Sequence, residues 1–202
     1  MPSAAGNSST KTARVGVLGL QGDFSEHLTT LRGIGADGVD VRRPEQLDDI
    51  DALIIPGGES TTICKLAQNY GIIPKLRERA QAGMPVWGTC AGAIFIAKDV
   101  PGHPHPLASL MDVTVERNAF GRQIDSFSAD LDVKALGEKP FHAVFIRAPR
   151  INRLGSGVEV LARLDDGTVV AARQGRLLAT SFHPELTHDE RFHRYFLSLG
   201  KS

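Results

Sequence analysis

The chain of 202 residues is long enough for one substantial domain and too short for two ordinary ones, and a domain of this size buries about 70% of its unfolded surface without disulfide staples. Lys+Arg and Asp+Glu stand at 23 each, so the formal net charge is zero. That excludes a nucleic-acid binder relying on a strong overall positive field, and equally an acidic or disordered solvating chain.

Residues 1–12 are small and polar, with no apolar signal core, and read as a mobile tail ahead of a single domain over 13–202. Residues 14–20, Arg-Val-Gly-Val-Leu-Gly-Leu, predict a short buried parallel strand bounded by glycine. Asp23 then stands three positions before Glu26, a capping-box spacing. Phe24, His27, Leu28, Leu31 and Ile34 recur behind it at helical spacing. Strands are expected at 39–42 and 51–56, the second ending in Gly57-Gly58. A helix over 60–70 places Ile63, Leu66, Ala67 and Tyr70 on one side, with Ser60 as its N-cap. A helix over 73–81, a strand over 84–87 and a helix over 91–97 complete an alternating first half.

From residue 99 the character changes. Residues 99–109 form a loop rich in Pro, His and Gly. Strands are expected at 111–116, 123–133, 141–147, 159–164, 169–173 and 177–181, with Asp165-Asp166-Gly167 as a tight turn between two of them. A final helix covers 189–199. The whole predicts an α/β fold of three layers, α/β/α, with a mainly parallel central sheet and additional antiparallel strands. No apolar run approaches the roughly 20 residues of a membrane span. With only two cysteines, Cys64 and Cys90, and no Cys-x-x-Cys pair, a reducing cytoplasm is the expected setting.

The segment Trp87-Gly88-Thr89-Cys90-Ala91-Gly92 carries the sharpest chemical signal. A strand runs through Gly-x-Cys-x-Gly into an apolar helix, the cysteine version of a nucleophile elbow. An isolated cysteine is most often a buried apolar side chain. The strand–turn–helix setting, with the positive end of a helix dipole beside the thiol, favours a nucleophile. Cys64, inside a helix, reads as packing.

A thiol nucleophile needs a base and a group to orient that base. His183 follows the strand at 177–181, near the end where parallel sheets place their sites. Glu185, two positions on, projects from the same face of an extended segment that Pro184 holds open. For acyl transfer, two donors must meet the oxyanion. The Ala91 amide supplies one and the Gly57-Gly58 loop the other, through Gly58. That loop, Pro56-Gly57-Gly58-Glu59-Ser60-Thr61, lacks the Walker pattern, and 16–22 lacks the Rossmann spacing. His103 and His105 have no Cys or Asp at ligand spacing, so no metal is expected. His27, His142, His188 and His193 fit structural or solvated roles.

Gly-Thr-Cys-Ala-Gly with a distant His-Pro-Glu resembles the class I triad glutamine amidotransferases. Further motifs narrow the resemblance to the family of glutaminase subunits of pyridoxal 5'-phosphate synthase. They are Gly-Leu-Gln-Gly-Asp-Phe at 19–24, the Pro56-Gly57-Gly58 loop, Glu-Arg-Asn-Ala-Phe-Gly-Arg-Gln at 116–123, Phe-Ile-Arg-Ala-Pro at 145–149 and Ser-Phe-His-Pro-Glu-Leu at 181–186. They span nearly the whole chain. The resemblance implies a flavodoxin-like sheet and hydrolysis of L-glutamine to glutamate and ammonia. Cys90, His183 and Glu185 would be the triad, acting through a glutamyl thioester. It also implies glutamine contacts at Gly58, Glu59, Ser60, Arg117, Ile146 and Arg147, and a place for Gln21 near the oxyanion and the partner interface.

No cofactor is implied. The implied partner is a (β/α)₈-barrel synthase subunit in a large hetero-oligomer, which takes the ammonia for vitamin B6 coenzyme synthesis. The glutaminase is expected to be weak alone and activated on docking, through a peptide flip near Gly57-Gly58. Two features depart from the family pattern, the long 99–109 loop and the N-terminal tail, and neither touches the triad. Two rival readings are a glutaminase of imidazole glycerol phosphate or anthranilate synthesis, against which 117–123 discriminates, and a non-enzymatic cysteine redox or interaction module.

Overall fold

The structure is a computed structural model and describes residues 12–117 and 126–200. The expected tail therefore lies outside the described residues up to position 11, as does most of the 116–123 motif. The first half alternates strongly. In order come β1 (Arg14–Leu18), α1 (Phe24–Gly33), β2 (Asp37–Val41), β3 (Ala52–Ile55), α2 (Ser60–Asn69), α3 (Ile72–Gln81), β4 (Val86–Thr89) and α4 (Ala91–Ile96). Then follow β5 (Ala97–Asp99), β6 (Met111–Glu116), β7 (Ser126–Leu131), β8 (Phe141–Ile146), β9 (Arg150–Leu154), β10 (Glu159–Arg163), β11 (Val169–Gln174), β12 (Leu177–Thr180) and α5 (Arg191–Ser198).

Among the described residues, the main sheet runs β2-β1-β3-β4-β12-β11-β9-β6-β5, with β10 on β11. Its first five strands pair in parallel, in the flavodoxin-like order. Beyond β12 the pairing turns antiparallel through β11, β9 and β6. β7 and β8 form a separate antiparallel pair.

Both faces of the sheet are buried, and the side-chain alternation of β3 shows how. Leu53 and Ile55 join the core under α2, α3 and α4, with Ile63, Ala67, Ile72 and Leu76. Ala52 and Ile54 join the opposite core, with Leu28 and Leu31 of α1 and Phe192 and Phe196 of α5. The hairpin of β7 and β8 lays Phe141 and Phe145 on that second core. No helix among the described residues is long and apolar enough to cross a membrane.

Several expectations shift. Tyr70 is not on the apolar side of its helix: it caps the C-terminus and is 53% exposed. Asp23 caps α1 by position but makes no side-chain capping bond, and Glu26 accepts from Ser25 instead. The strand expected at 84–87 runs two residues later. β5 and β9 are unforeseen. β9 reads Arg-Ile-Asn-Arg-Leu, with only Ile151 fully buried, so it has little apolar signal to read.

Candidate active site

The carboxyl ends of β1, β3, β4 and β12 converge, and each contributes a loop to one cavity. β4 delivers Cys90. Its backbone sits at φ 48°, ψ −106°, a left-handed conformation rare outside glycine. The flanking glycines make this turn possible. A Cβ on Gly92 would collide with the Ile55 carbonyl, and one on Gly88 with the Gly92 backbone. The Cys90 N–H donates to Thr180 O of β12 at 2.8 Å, tying the elbow to the strand that precedes His183. The Cys90 thiol lies 3.7 Å from the Ile146 carbonyl oxygen.

β12 delivers His183, whose N–H donates to Val144 O of β8 at 2.8 Å. His183 Nδ1 lies 2.7 Å from Glu185 Oε1. The pairing is as expected but its backbone is not: residues Pro184–Leu186 form one 3₁₀ turn rather than an extended segment. Only His183 itself, at ψ 86°, stays out of the helical region, as the residue before proline must. Burial pushes the imidazole pKa down, but hydrogen bonds to Cys90 and Glu185 outweigh it and hold the pKa raised. Burial raises the Glu185 carboxyl, which His183 partly offsets. Both side chains are almost fully enclosed.

β3 delivers the glycine loop. A Cβ on Gly57 would overlap His183 Cε1 and come within 3.4 Å of Cys90 Cβ, so only glycine admits the imidazole this close. Gly58 has φ 135°. Its α-carbon faces Gln21, whose Nε2 donates to Glu59 O at 3.4 Å, so the loop after β1 braces the loop after β3. Ser60 is not the helix cap. Glu59 is, with its carboxylate accepting from Thr61 N and Thr62 N at 3.1 and 2.7 Å and from both threonine hydroxyls. Burial raises the Glu59 carboxyl, but these bonds win and lower it to about 2. The Ala91 N–H belongs to the first turn of α4, where amides lack partners within the helix.

The cavity measures about 380 Å³. Gly58, Glu59, Ser60, Cys90, Ala91, Arg117, Ile146, Arg147 and His183 all line it, so every expected contact except Gln21 opens on one space. Arg147 reaches it from a left-handed φ of 43°. Two guanidinium groups and the carboxylates of Glu59 and Asp23 share the lining. That charge pattern suits a zwitterionic amino acid, with a fork for its carboxylate.

Three residues were not anticipated here. Asp23 lines the cavity with its Oδ2 3.4 Å from His183 Nδ1. His27 and His193 are wholly buried behind Glu185. The local signal that Asp23 carries, its capping-box spacing to Glu26, points to a helix cap and not to the cavity. The two histidines carry none. Elsewhere, Cys64 is fully buried and its thiol is pushed up to about 12, chiefly by burial. His103 Nε2 stands 3.9 Å from that sulfur, while its Nδ1 meets His105 O. His142 pairs with Asp130.

Known proteins resemble the chain along nearly its whole length. The sequence model of the SNO glutamine amidotransferase family matches residues 17–200. The pyridoxal 5'-phosphate synthase subunit PdxT of Herpetosiphon aurantiacus is 58% identical over 188 residues, 92% of this chain and 99% of that one. The subunit of the same name from Pelotomaculum thermopropionicum is 59% identical, over 91% of this chain and 93% of that one. A solved crystal structure of a glutamine amidotransferase superposes with TM-score 0.88 at 54% identity, covering 93% and 99%. PurLQS from Thermotoga maritima, at 15% identity and TM-score 0.71 over 93% and 98%, shares the fold.

Proposed function

The chain belongs to the SNO glutamine amidotransferase family, and from that premise we propose that Cys90, His183 and Glu185 are the triad with which it hydrolyses L-glutamine. The observation that carries the assignment is the pairing of His183 with Glu185 at 2.7 Å, with His183 and Cys90 opening on one cavity.

His183 takes the thiol proton, and Cys90 Sγ attacks the side-chain amide carbon of glutamine. The carbonyl becomes a tetrahedral oxyanion, met by the Ala91 and Gly58 amides. His183 returns its proton to the leaving nitrogen as the C–N bond breaks, releasing ammonia and leaving a glutamyl thioester on Cys90. A water molecule, deprotonated by His183, attacks the thioester, and glutamate leaves with the thiol restored. Glu185 keeps the Nδ1 proton in place, so Nε2 works on Cys90.

Arg117 and Arg147 grip the α-carboxylate of free glutamine, and Gly58, Glu59, Ser60 and Ile146 shape the rest of its site. Gln21 steadies the oxyanion loop at the partner face. The curated relatives are named as subunits of pyridoxal 5'-phosphate synthase, which supports delivery of the ammonia to a synthase partner; we take that partner to be a (β/α)₈-barrel subunit in a large cytoplasmic hetero-oligomer. Docking activates the glutaminase by re-aiming the Gly57-Gly58 peptide.

The test is a coupled assay with glutamine, a pentose phosphate, a triose phosphate and the synthase subunit. Coenzyme forms with the unmodified chain and fails to form from glutamine with Cys90→Ala, while added ammonia restores it. Full glutamine-dependent synthesis by Cys90→Ala would remove Cys90 from the mechanism.

A further inference from the structure

Glu185 has two carboxylate oxygens, and the triad uses one. Oε1 holds His183. Oε2 is enclosed, lacks hydrogen-bond geometry to any side chain as it stands, and lies 3.3 Å from His27 Nε2. Hydrogen bonds of this kind commonly tighten only when substrate is bound.

The protons can be placed by elimination. Burial, with the His193 and His183 rings nearby, holds the His27 pKa well below its ordinary value, so the ring is neutral with one donor and one acceptor. Its Nε2 faces a carboxylate oxygen, which only accepts, and lies 3.4 Å from the Thr89 hydroxyl. The proton therefore sits on Nε2, and Nδ1 accepts. Its neighbour at 2.9 Å is His193 Nε2, which must then donate. The leftover atom, His193 Nδ1, is buried without a partner, as a bare lone pair can be at least cost. Every donor in this line points toward Glu185. His193 donates to His27, His27 to Glu185 Oε2, and His183 to Glu185 Oε1, leaving His183 Nε2 for Cys90.

We propose that His27 is a positioning residue of the glutaminase. It holds the Glu185 carboxylate from behind, keeps it ionised and so fixes the tautomer of His183. This rests on the triad reading above. A core histidine with no functional part would be equally buried, but nothing would oblige it to face the second oxygen of the orienting carboxylate.

The first experiment needs no variant. Nitrogen NMR of the histidine-labelled protein between pH 5 and 9 reads each ring's tautomer. His27 is expected as the neutral Nε2–H form throughout, and the Nδ1–H form overturns the proposal. The second experiment compares His27→Leu with His27→Gln, which keeps an N–H donor. With the Leu variant, kcat falls on the order of tenfold at unchanged KM. The acid limb of its pH profile moves upward, because Glu185 loses a group that favours its charged form. The groups facing Glu185 and His183 there are His27, Asp23 and Cys90. The Gln variant recovers most of the activity. A folded Leu variant with unchanged kcat and pH profile overturns the proposal. Cys90→Ala is assayed alongside, since activity in that variant would sink the triad reading whatever His27 does.

Discussion

The Asp23 carboxylate stands 3.4 Å from His183 Nδ1, the same nitrogen that Glu185 holds at 2.7 Å. One imidazole N–H thus faces two acids of different character. Glu185 is enclosed and Asp23 is 41% exposed in its side chain. The buried acid makes the closer contact, and the exposed one lines the cavity.

Replacing Asp23 by Asn removes that charge and makes the imidazolium easier to deprotonate. Because water screens Asp23, kcat/KM falls by less than about tenfold. The alkaline limb of the kcat/KM profile moves to lower pH. A loss as deep as that of Glu185→Gln would show Asp23 to be the true orienting acid.

The Glu185→Gln change is far more damaging. Its amide N–H competes with the His183 Nδ1 proton and favours the wrong tautomer, for a loss in kcat on the order of 10²–10⁴. In the unmodified protein a glutamine-like electrophile should label Cys90 and spare Cys64, whose thiol is pushed up to about 12. Peptide mapping after alkylation checks the site, and a label on Cys64 contradicts the assignment.

Arg147 offers a case where stability and activity part. Its φ of 43° costs an ordinary side chain free energy that glycine does not incur. Arg147→Gly is therefore neutral or stabilising by up to about 1 kcal/mol, read as the midpoint of urea unfolding. The same variant loses a guanidinium from the cavity, so KM for glutamine rises at least tenfold. A destabilised variant with unchanged KM would refute both statements.

Stability should also fall on mild acidification. Burial lowers the His193 pKa to about 4, and His27 shifts in the same direction. In the unfolded chain both titrate near 6.5. The folded state thus binds fewer protons between those values, and stability present above pH ~6.5 drains away as the pH falls toward ~4. His193 alone accounts for about 3 kcal/mol of that loss. His183, raised by its partners, works oppositely, losing its contribution as the pH rises. Thermal melts at pH 7 and 5 separate the terms: in His193→Gln the difference between the two pH values shrinks, and an unchanged difference excludes His193.

The elements legible in the sequence are those whose signal is local. The elbow around Cys90 needs only glycines two positions away on each side, and His183 and Glu185 sit within three residues of each other. The near-continuous apolar runs of β1, β3 and β4 announce strands buried on both faces. What the sequence hides is made by tertiary contact. Asp23 looks like a helix cap until β1 and β12 bring it to His183. His27 is an ordinary helical position until α5 and Glu185 close around it. Glu59 displaces Ser60 as a cap because its longer side chain can reach two amides of the first turn. β9 escapes notice because an arginine-rich strand over a half-buried surface carries no alternation.

Cys90 and His183 follow neighbouring strands, with Thr89 and Thr180 in register across β4 and β12, yet 93 positions separate them. β12 comes last of the twelve strands among the described residues, and it slots into the middle of the sheet, between β4 and β11. A nascent chain stopped before residue 177 has an elbow and a thiol but neither base nor the neighbouring strand that holds the elbow's amide. On the triad reading, a chain cut before residue 177 releases no ammonia from glutamine.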